Sequence, residues 1–322
     1  GILMGTGAPC SGRFHSVTKS PLTGIFTTSS CGGPFGMQLK TAGWDGLLIK
    51  GKAERPTFLR IDKNGVSFEN AEKEWGMDTQ SAQSELCRGK KEASLVIGPA
   101  GENGVYFANA ASGHRFLGRG GLGAVMGSKN LKAVVAKGGD HKIVPVNKKL
   151  FDKSRKRGQK YINRNEMSSV LLRNYGTSAN VNLNNKAGIL PVKNFRTGRH
   201  DSAHELSGET IKEVHDTRFS TCKPCVILCG HTGNFKGKRL PVPEFETVSL
   251  MGSNLGIFDR DKIARWNDIC SKMGMDTISA GGTIAWIMEA AEKGLYDSNL
   301  RFGSAEGIEA FLADIAHCRG KG

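Results

Sequence analysis

The chain has 322 residues, 38% of them hydrophobic and 7% aromatic, enough to bury a sizeable core and, by length, to divide into two domains. No run of about 18 apolar residues occurs, so no membrane span is expected. Eight cysteines are too sparse for a disulfide scaffold and too clustered in one place to be random, which points to reducing, cytoplasmic surroundings. The net charge of +15 admits a nucleic acid, an acidic protein partner or an anionic cofactor.

The chain opens on Gly1-Ile2-Leu3-Met4-Gly5 without a signal-peptide pattern and stops at Cys318-Arg319-Gly320-Lys321-Gly322 directly after an apolar helical pattern. It therefore reads as an internal piece of a longer protein. Residues 1–142 read as β-rich. Gly12 to Gly24 combines Arg13, His15 and Lys19 with hydroxyls and glycines, and Ser29-Ser30-Cys31-Gly32-Gly33 repeats that recipe. His15 taken alone is more simply a core or surface histidine. Leu47-Leu48-Ile49 is a short apolar run, and Thr57 to Ile61 and Val66 to Phe68 flank Asn64-Gly65 as a hairpin. Asp78 is placed to cap a helix running to Arg88, with Gly89 as its stop. Leu95-Val96-Ile97 and Ala133-Val134-Val135 read as buried strands.

Between them, Gly113 to Asn130 is a glycine-rich stretch carrying Arg115, Arg119 and Lys129. Glycines let backbone N–H groups approach an anion, so phosphate or pyrophosphate binding follows naturally. Gly118, Gly120 and Gly123 fit GxGxxG, but no convincing strand leads into them. A dinucleotide site is therefore a weak reading against a packing loop with surface arginines.

Residues 143–322 read as mainly helical. A basic helix from about Lys148 to Asn163 is most simply a solvated face and otherwise an interaction surface. Further helices are expected near Met167 to Leu172, from Ile263 to Met273 with Gly274 as stop, from Thr277 to Lys293 before Gly294, and from Ile308 to Cys318. Within this half lies CxxCxxxC: Cys222, Cys225 and Cys229, turned by Pro224 and released by Gly230. Three thiolates this close can converge on one soft metal ion or iron–sulfur cluster, the alternative being buried inert cysteines. Glu244 and Glu246 follow at i, i+2, where strand-like alternation would aim both to one face and let one act as acid or base. Asp276 before Thr277 reads as a helix N-cap.

In order along the chain, GRFHSVTKSPLTG, LIKGKAE, IGPAGEN, GHRFLGRGGLGAVMGSKNLKAV, LRNYGTSANVN, CKPCVILCG, SNLGI and MGMDTISAGGTIAWIMEAAEKG make the sequence similar to the tungsten-dependent aldehyde ferredoxin oxidoreductase family. The resemblance implies an α+β fold, with a β-rich domain cradling a tungstopterin followed by helical domains that bring in a [4Fe–4S] cluster. It assigns Arg13, Ser30 and Gly32, and in the second loop Arg115, Phe116, Gly118 and Arg119, to the pterin. Met275 and Asp276 match a further pterin-contacting segment. Glu246 matches an acidic residue near the reacting centre, and Cys222, Cys225 and Cys229 match cluster ligands. Magnesium bridging the pterin phosphates belongs to the same expectation, with molybdenum as the alternative to tungsten.

Departures from the family pattern are specific. Ser30 stands where the archetype has Asn, and Ser271 replaces an acidic contact. Arg265 and Asp268 occupy the positions of an intersubunit iron's ligands, and an arginine cannot ligate, so a homodimer is expected to lack that iron. The fourth cluster cysteine and the second pterin segment would lie in the C-terminal domain, outside this chain, and neither Cys270 nor Cys318 occupies a matching motif. The implied activity is oxidation of a small aldehyde to its acid, with electrons passed to ferredoxin or another carrier. Alternatives are a ring- or carboxylate-reducing member of the family or, from another class, a zinc-stabilised nucleic-acid-binding module ligated by Cys222, Cys225, Cys229 and His231.

Overall fold

The computed structural model describes residues 1–322. The architecture is α+β. The chain enters through an antiparallel hairpin of β1 (Phe14–Lys19) and β2 (Phe26–Cys31), then α1 (Phe35–Thr41). There follow β3 (Thr57–Asp62), β4 (Gly65–Asn70), α2 (Thr79–Leu86), β5 (Glu92–Ile97), α3 (Pro99–Glu102), β6 (Ala110–Ser112), β7 (Arg115–Leu117), α4 (Leu122–Ser128) and β8 (Leu131–Lys137). The strands from β3 onward form a six-stranded sheet ordered β4-β3-β8-β5-β6-β7, in which only β3 and β8 run parallel.

Local chemistry explains these elements. Asp78 accepts hydrogen bonds from the Gln80 and Ser81 amides, satisfying donors that a helix start leaves open. The turn at Asn64 joins β3 to β4 with Asp62 opposite Gly65. β5 and β8 are buried on both faces, in keeping with the apolar runs Leu95-Val96-Ile97 and Ala133-Val134-Val135-Ala136. Lys132 on β8 is fully buried; its ammonium pairs with Glu102 of α3 and donates to the Met77 carbonyl at 2.8 Å.

Three expectations change here. The Gly12 to Gly33 stretch, read only as an anion-binding recipe of arginine, hydroxyls and glycines, is a β-hairpin, and His15 is exposed on it. Leu47-Leu48-Ile49 joins no sheet: Leu47 packs on the core, but Leu48 is 82% exposed. A strand, β7, does lead into the GxGxxG residues. It is antiparallel to β6 at the sheet edge, however, and the strand after α4 inserts between β3 and β5, so no parallel crossover exists to build a dinucleotide site.

The second half contains α5 (Lys148–Arg164), a π-helical turn at Met167–Leu171, α6 (Leu172–Tyr175), α7 (Asn180–Ala187) and α8 (Gly208–Val214). A three-stranded antiparallel sheet of β9 (Arg218–Phe219), β10 (His231–Phe235) and β11 (Lys238–Pro241) follows. Then come α9 (Phe245–Leu250), α10 (Arg260–Met273), α11 (Thr277–Glu292) and α12 (Ile308–His317). Gly274 ends α10 at φ 76°, a left-handed cap that glycine adopts without steric cost. The helix expected near Met167 is π-helical there and turns α-helical only from Leu172.

The largest apolar core, 27 buried residues, centres on α9 to α12 but includes Ala100, Val105, Ala108 and Ala124 from before residue 142. Its Trp266 is 1% exposed; burying an aromatic of this size contributes a few kcal/mol. The two halves also share backbone bonds: Asn109 N donates to Gly274 O at 2.8 Å and Asp276 N to Phe107 O at 3.2 Å. No helix is long and apolar enough to cross a membrane.

Candidate functional site

Those bridging bonds set the start of α11 against β6 and β7, and a cavity of about 340 Å³ opens at the junction. Its wall is polar, with 5 hydrophobic residues among 32. The hairpin supplies Arg13, Ser30 and Gly32, the β7 stretch Arg115, Phe116, Gly118 and Arg119, the start of α11 Met275 and Asp276, and the start of α9 Glu244 and Glu246. Every pterin residue named from the resemblance therefore lines one space, together with Glu246.

Each side chain is held by an identifiable contact. Arg13 donates from Nε to Ser30 Oγ and from Nη2 to Ser30 O, both at 2.7 Å. The hairpin and the glycine-rich stretch meet directly: a Cβ on Gly120 would stand 2.6 Å from Thr27 Oγ1. Asp276 accepts from the Ile278 and Ser279 amides and from Ser279 Oγ, so it caps α11 as its position indicated, and Arg119 Nε lies 3.8 Å from its carboxylate. Glu244 and Glu246 reach the cavity by a different route from strand alternation. Glu244 is extended (ψ 166°) and is the N-cap of α9, with Glu246 in its first turn, because the chain turns helical right after it.

Arg115 joins the cavity to the cysteine loop. It donates from Nη1 to Glu244 Oε1 at 2.6 Å and from Nη2 to Ser220 O at 3.1 Å. Its guanidinium lies across Gly230, where a Cβ would come within 2.1 Å of Nη2. Gly230 is therefore required for this approach and not only for the turn. Burial opposes the Arg115 charge, but Glu244 and the Cys222 and Cys229 sulfurs outweigh it and hold its pKa above the usual guanidinium value.

Cys229 is on the cavity wall, whereas Cys222 and Cys225 do not line it. Cys222 Sγ abuts Gly32, where a Cβ would be 2.5 Å away. Burial raises the Cys229 pKa, with Glu244 adding to it and Arg115 opposing. No three His, Cys, Asp or Glu side chains stand close enough together to hold a metal ion, so the three sulfurs are neighbours on one loop without converging on a point. The chemistry of this donor set, three thiols on a short loop beside a cationic guanidinium, fits a soft iron–sulfur group.

His231 does not serve the zinc reading. Its Nδ1 lies 3.1 Å from Cys229 O and its Nε2 3.1 Å from Arg173 O; carbonyls only accept, so the neutral ring donates to one of them and turns its bare nitrogen toward the other. Burial also lowers its pKa. Asp268, aligned by the resemblance with an iron position, is instead on the cavity wall and paired with Lys272 at 2.9 Å. Arg265 pairs with Glu309.

Two residues escaped the sequence reading. Asn109 lines the cavity at 4% exposure with its Oδ1 lacking any partner, although a buried amide oxygen ordinarily has one. Cys10 brings its Sγ to 3.9 Å from Cys225 Sγ; its place just ahead of Gly12-Arg13 was the available signal. A Cβ on Gly118 would meet nothing within 4 Å, so that glycine opens its backbone to the cavity. The orphaned Asn109 oxygen, the bare Gly118 backbone and the three arginines suit a phosphate-bearing, hydrogen-bonding cofactor such as a pterin.

Residues 1–138 match the family model for the aldehyde ferredoxin oxidoreductase N-terminal domain, and residues 153–322 that for its domains 2 and 3. The chain is 40% identical over its whole length to a tungsten-containing aldehyde ferredoxin oxidoreductase of Pyrococcus furiosus, covering 55% of that protein. It is 30% identical, over 94% of the chain and 51% of the relative, to the WOR-like subunit of an aliphatic sulfonate oxidoreductase of the same organism. Among solved structures, the active-site complex BamBC of benzoyl-coenzyme A reductase with 1,5-dienoyl-CoA superposes with a TM-score of 0.80 at 26% identity, over 97% of this chain and 50% of that one. The chain thus spans about half the length of the relatives it matches. On the two family matches and the identity that runs through both halves, the chain belongs to the aldehyde ferredoxin oxidoreductase family.

Proposed function

We propose that the protein carrying this chain is a tungsten-pterin oxidoreductase that converts a small aldehyde and water into the carboxylic acid, two protons and two electrons. A [4Fe–4S] cluster held by the cysteine loop would supply the one-electron relay to ferredoxin or a comparable carrier. The observation that carries this reading is the gathering of Arg13, Ser30, Arg119, Asp276 and Glu246 around one polar cavity, with Arg115 shared between that cavity and the cysteine loop.

When bound, the tungstopterin supplies the two-electron chemistry at the carbonyl carbon and the cluster the one-electron relay. The chain's own residues bind and orient. Arg13, Arg115 and Arg119 would offer charge to the phosphates, and Cys222, Cys225 and Cys229 would hold the cluster. Glu244 is committed to Arg115, which leaves the Glu246 carboxylate to take a proton from the attacking water.

A reductive reading, with ring or carboxylate reduction on the same frame, is favoured by one observation, the likeness to a benzoyl-coenzyme A reductase complex over nearly the whole chain. The full-length protein, produced with tungsten and iron available, separates the two. Aldehyde-dependent reduction of a viologen dye, falling about 100-fold or more in Glu246→Gln, supports oxidation. Turnover only of an aromatic thioester with a strong reductant supports the alternative, and zinc as the sole metal overturns both.

A further inference from the structure

α5 is a helix of 17 residues without a single buried one. A helix of a folded protein normally hides an apolar stripe against its neighbours, yet here Leu150 and Tyr161 are 60% and 58% exposed. Eight of its residues are Lys or Arg and one, Asp152, is acidic. Asp152 pairs with Lys148 and Arg155, so the remaining cations have no acidic partner on their own helix.

Its placement is specific. Gly158 rests against Pro9, where a Cβ would stand 3.7 Å from the ring. Pro9 precedes Cys10, whose sulfur touches Cys225 at 3.9 Å. Toward the end of the helix, Arg173 Nη2 bridges Asn163 Oδ1 at 2.8 Å and the Val226 carbonyl, inside the cysteine run, at 2.6 Å. α5 is thus fastened along the rim of the cysteine loop. At about 100° per residue, Lys149, Lys153, Lys156 and Lys160 fall within roughly 40° of the direction opposite Gly158. Four lysines therefore form an outward stripe beside the point where electrons would leave.

We propose that this stripe is the docking surface for an acidic one-electron carrier protein of the ferredoxin type. The inference rests on the electron exit assigned to the cysteine loop. A positive stripe steers an acidic partner to that exit and raises its encounter rate. Each encounter moves one electron from the cluster to the oxidised carrier, so two encounters accept the pair released per aldehyde.

The test uses the full-length enzyme and an acidic bacterial-type ferredoxin. Direct binding, measured calorimetrically at several salt concentrations, needs no turnover and so stands apart from the proposed reaction. Wild-type binding that weakens with salt, and falls about tenfold or more in Lys149→Glu/Lys153→Glu/Lys156→Glu, with viologen-coupled turnover unchanged, supports the proposal. Equal ferredoxin binding by wild type and variant overturns it, as does protection of these lysines from acetylation in the free enzyme, which would place another part of the protein on the stripe. A Lys→Gln version of the triple variant guards against misfolding: its native circular dichroism with lost ferredoxin binding sustains the assignment, and retained binding refutes it. Loss of aldehyde turnover in the wild type with salt-sensitive binding intact would count against the reaction and not against the surface.

Discussion

Arg115 and Glu244 are 129 residues apart in the chain, yet Nη1 and Oε1 meet at 2.6 Å, with Arg115 Nη2 close against Gly230. This one pair connects the β7 stretch, the start of α9 and the cysteine loop. The Arg115 and Glu244 side chains retain 26% and 47% exposure, so solvent screening limits the attraction. A double-mutant cycle with Arg115→Met and Glu244→Gln, read by chemical denaturation, should give a coupling of about 1 kcal/mol or less. Gly230→Ala should displace the guanidinium and reproduce the loss of coupling without altering either charge.

The glycine-rich stretch mixes two kinds of glycine. A Cβ at Gly127 would stand 1.9 Å from the Gly101 carbonyl oxygen, which is backbone and cannot swing away, whereas one at Gly118 would meet nothing. Gly127→Ala should therefore destabilise by about 1–3 kcal/mol or more and lower the melting temperature. Gly118→Ala should leave the melting temperature in place and reduce pterin content, measured by extracting and oxidising the cofactor from the full-length protein.

Lys132 and Glu102 form a pair almost completely removed from solvent. Breaking it by Glu102→Gln should cost about 3–5 kcal/mol, because a buried ammonium would lose its counter-charge. Burial lowers the Lys132 pKa below its ordinary 10.5, against the pull of Glu102. Between the folded value and 10.5 the unfolded chain binds more protons, so this group makes stability rise with pH there and contributes no slope below the folded value. Comparison of wild type with Lys132→Met across the alkaline range should show the slope only in wild type.

Thiol reactivity should separate the cysteines. Burial pushes the Cys270 thiol up to about 12, whereas Cys318 is exposed. Iodoacetamide at pH 8 should label Cys318 in the native protein and spare Cys270, with all eight cysteines labelled after denaturation. Peptide mass spectrometry reads the outcome, and native labelling of Cys270 would show that the α10 core opens.

Much of this was legible because it is local. The Asp78 and Asp276 caps, the Gly274 and Gly294 stops and the two central strands follow from side chains acting on backbone within a few residues. The arginine and glycine stretches and the cysteine spacing carried the family resemblance for the same reason, since each is contiguous. The position of β8 between β3 and β5 was not legible, nor was the hairpin hidden in the Gly12 to Gly33 stretch. Strand neighbours are chosen by packing over the whole sheet, and the same alternation suits several partners.

What the sequence determined by itself, then, was the inventory: which stretches carry anion-binding glycines and arginines, which carry thiols, and where most helices begin and end. Only the tertiary structure decided who meets whom. It paired Arg13 with Ser30 and Arg115 with Glu244, left Asn109 Oδ1 without a partner in the cavity wall, set Cys10 beside Cys225, and laid a basic helix along the cysteine loop. Each of these depends on contacts between residues far apart in the chain, whose distances are set by how the sheet and the α9 to α12 core close on one another and not by any local preference.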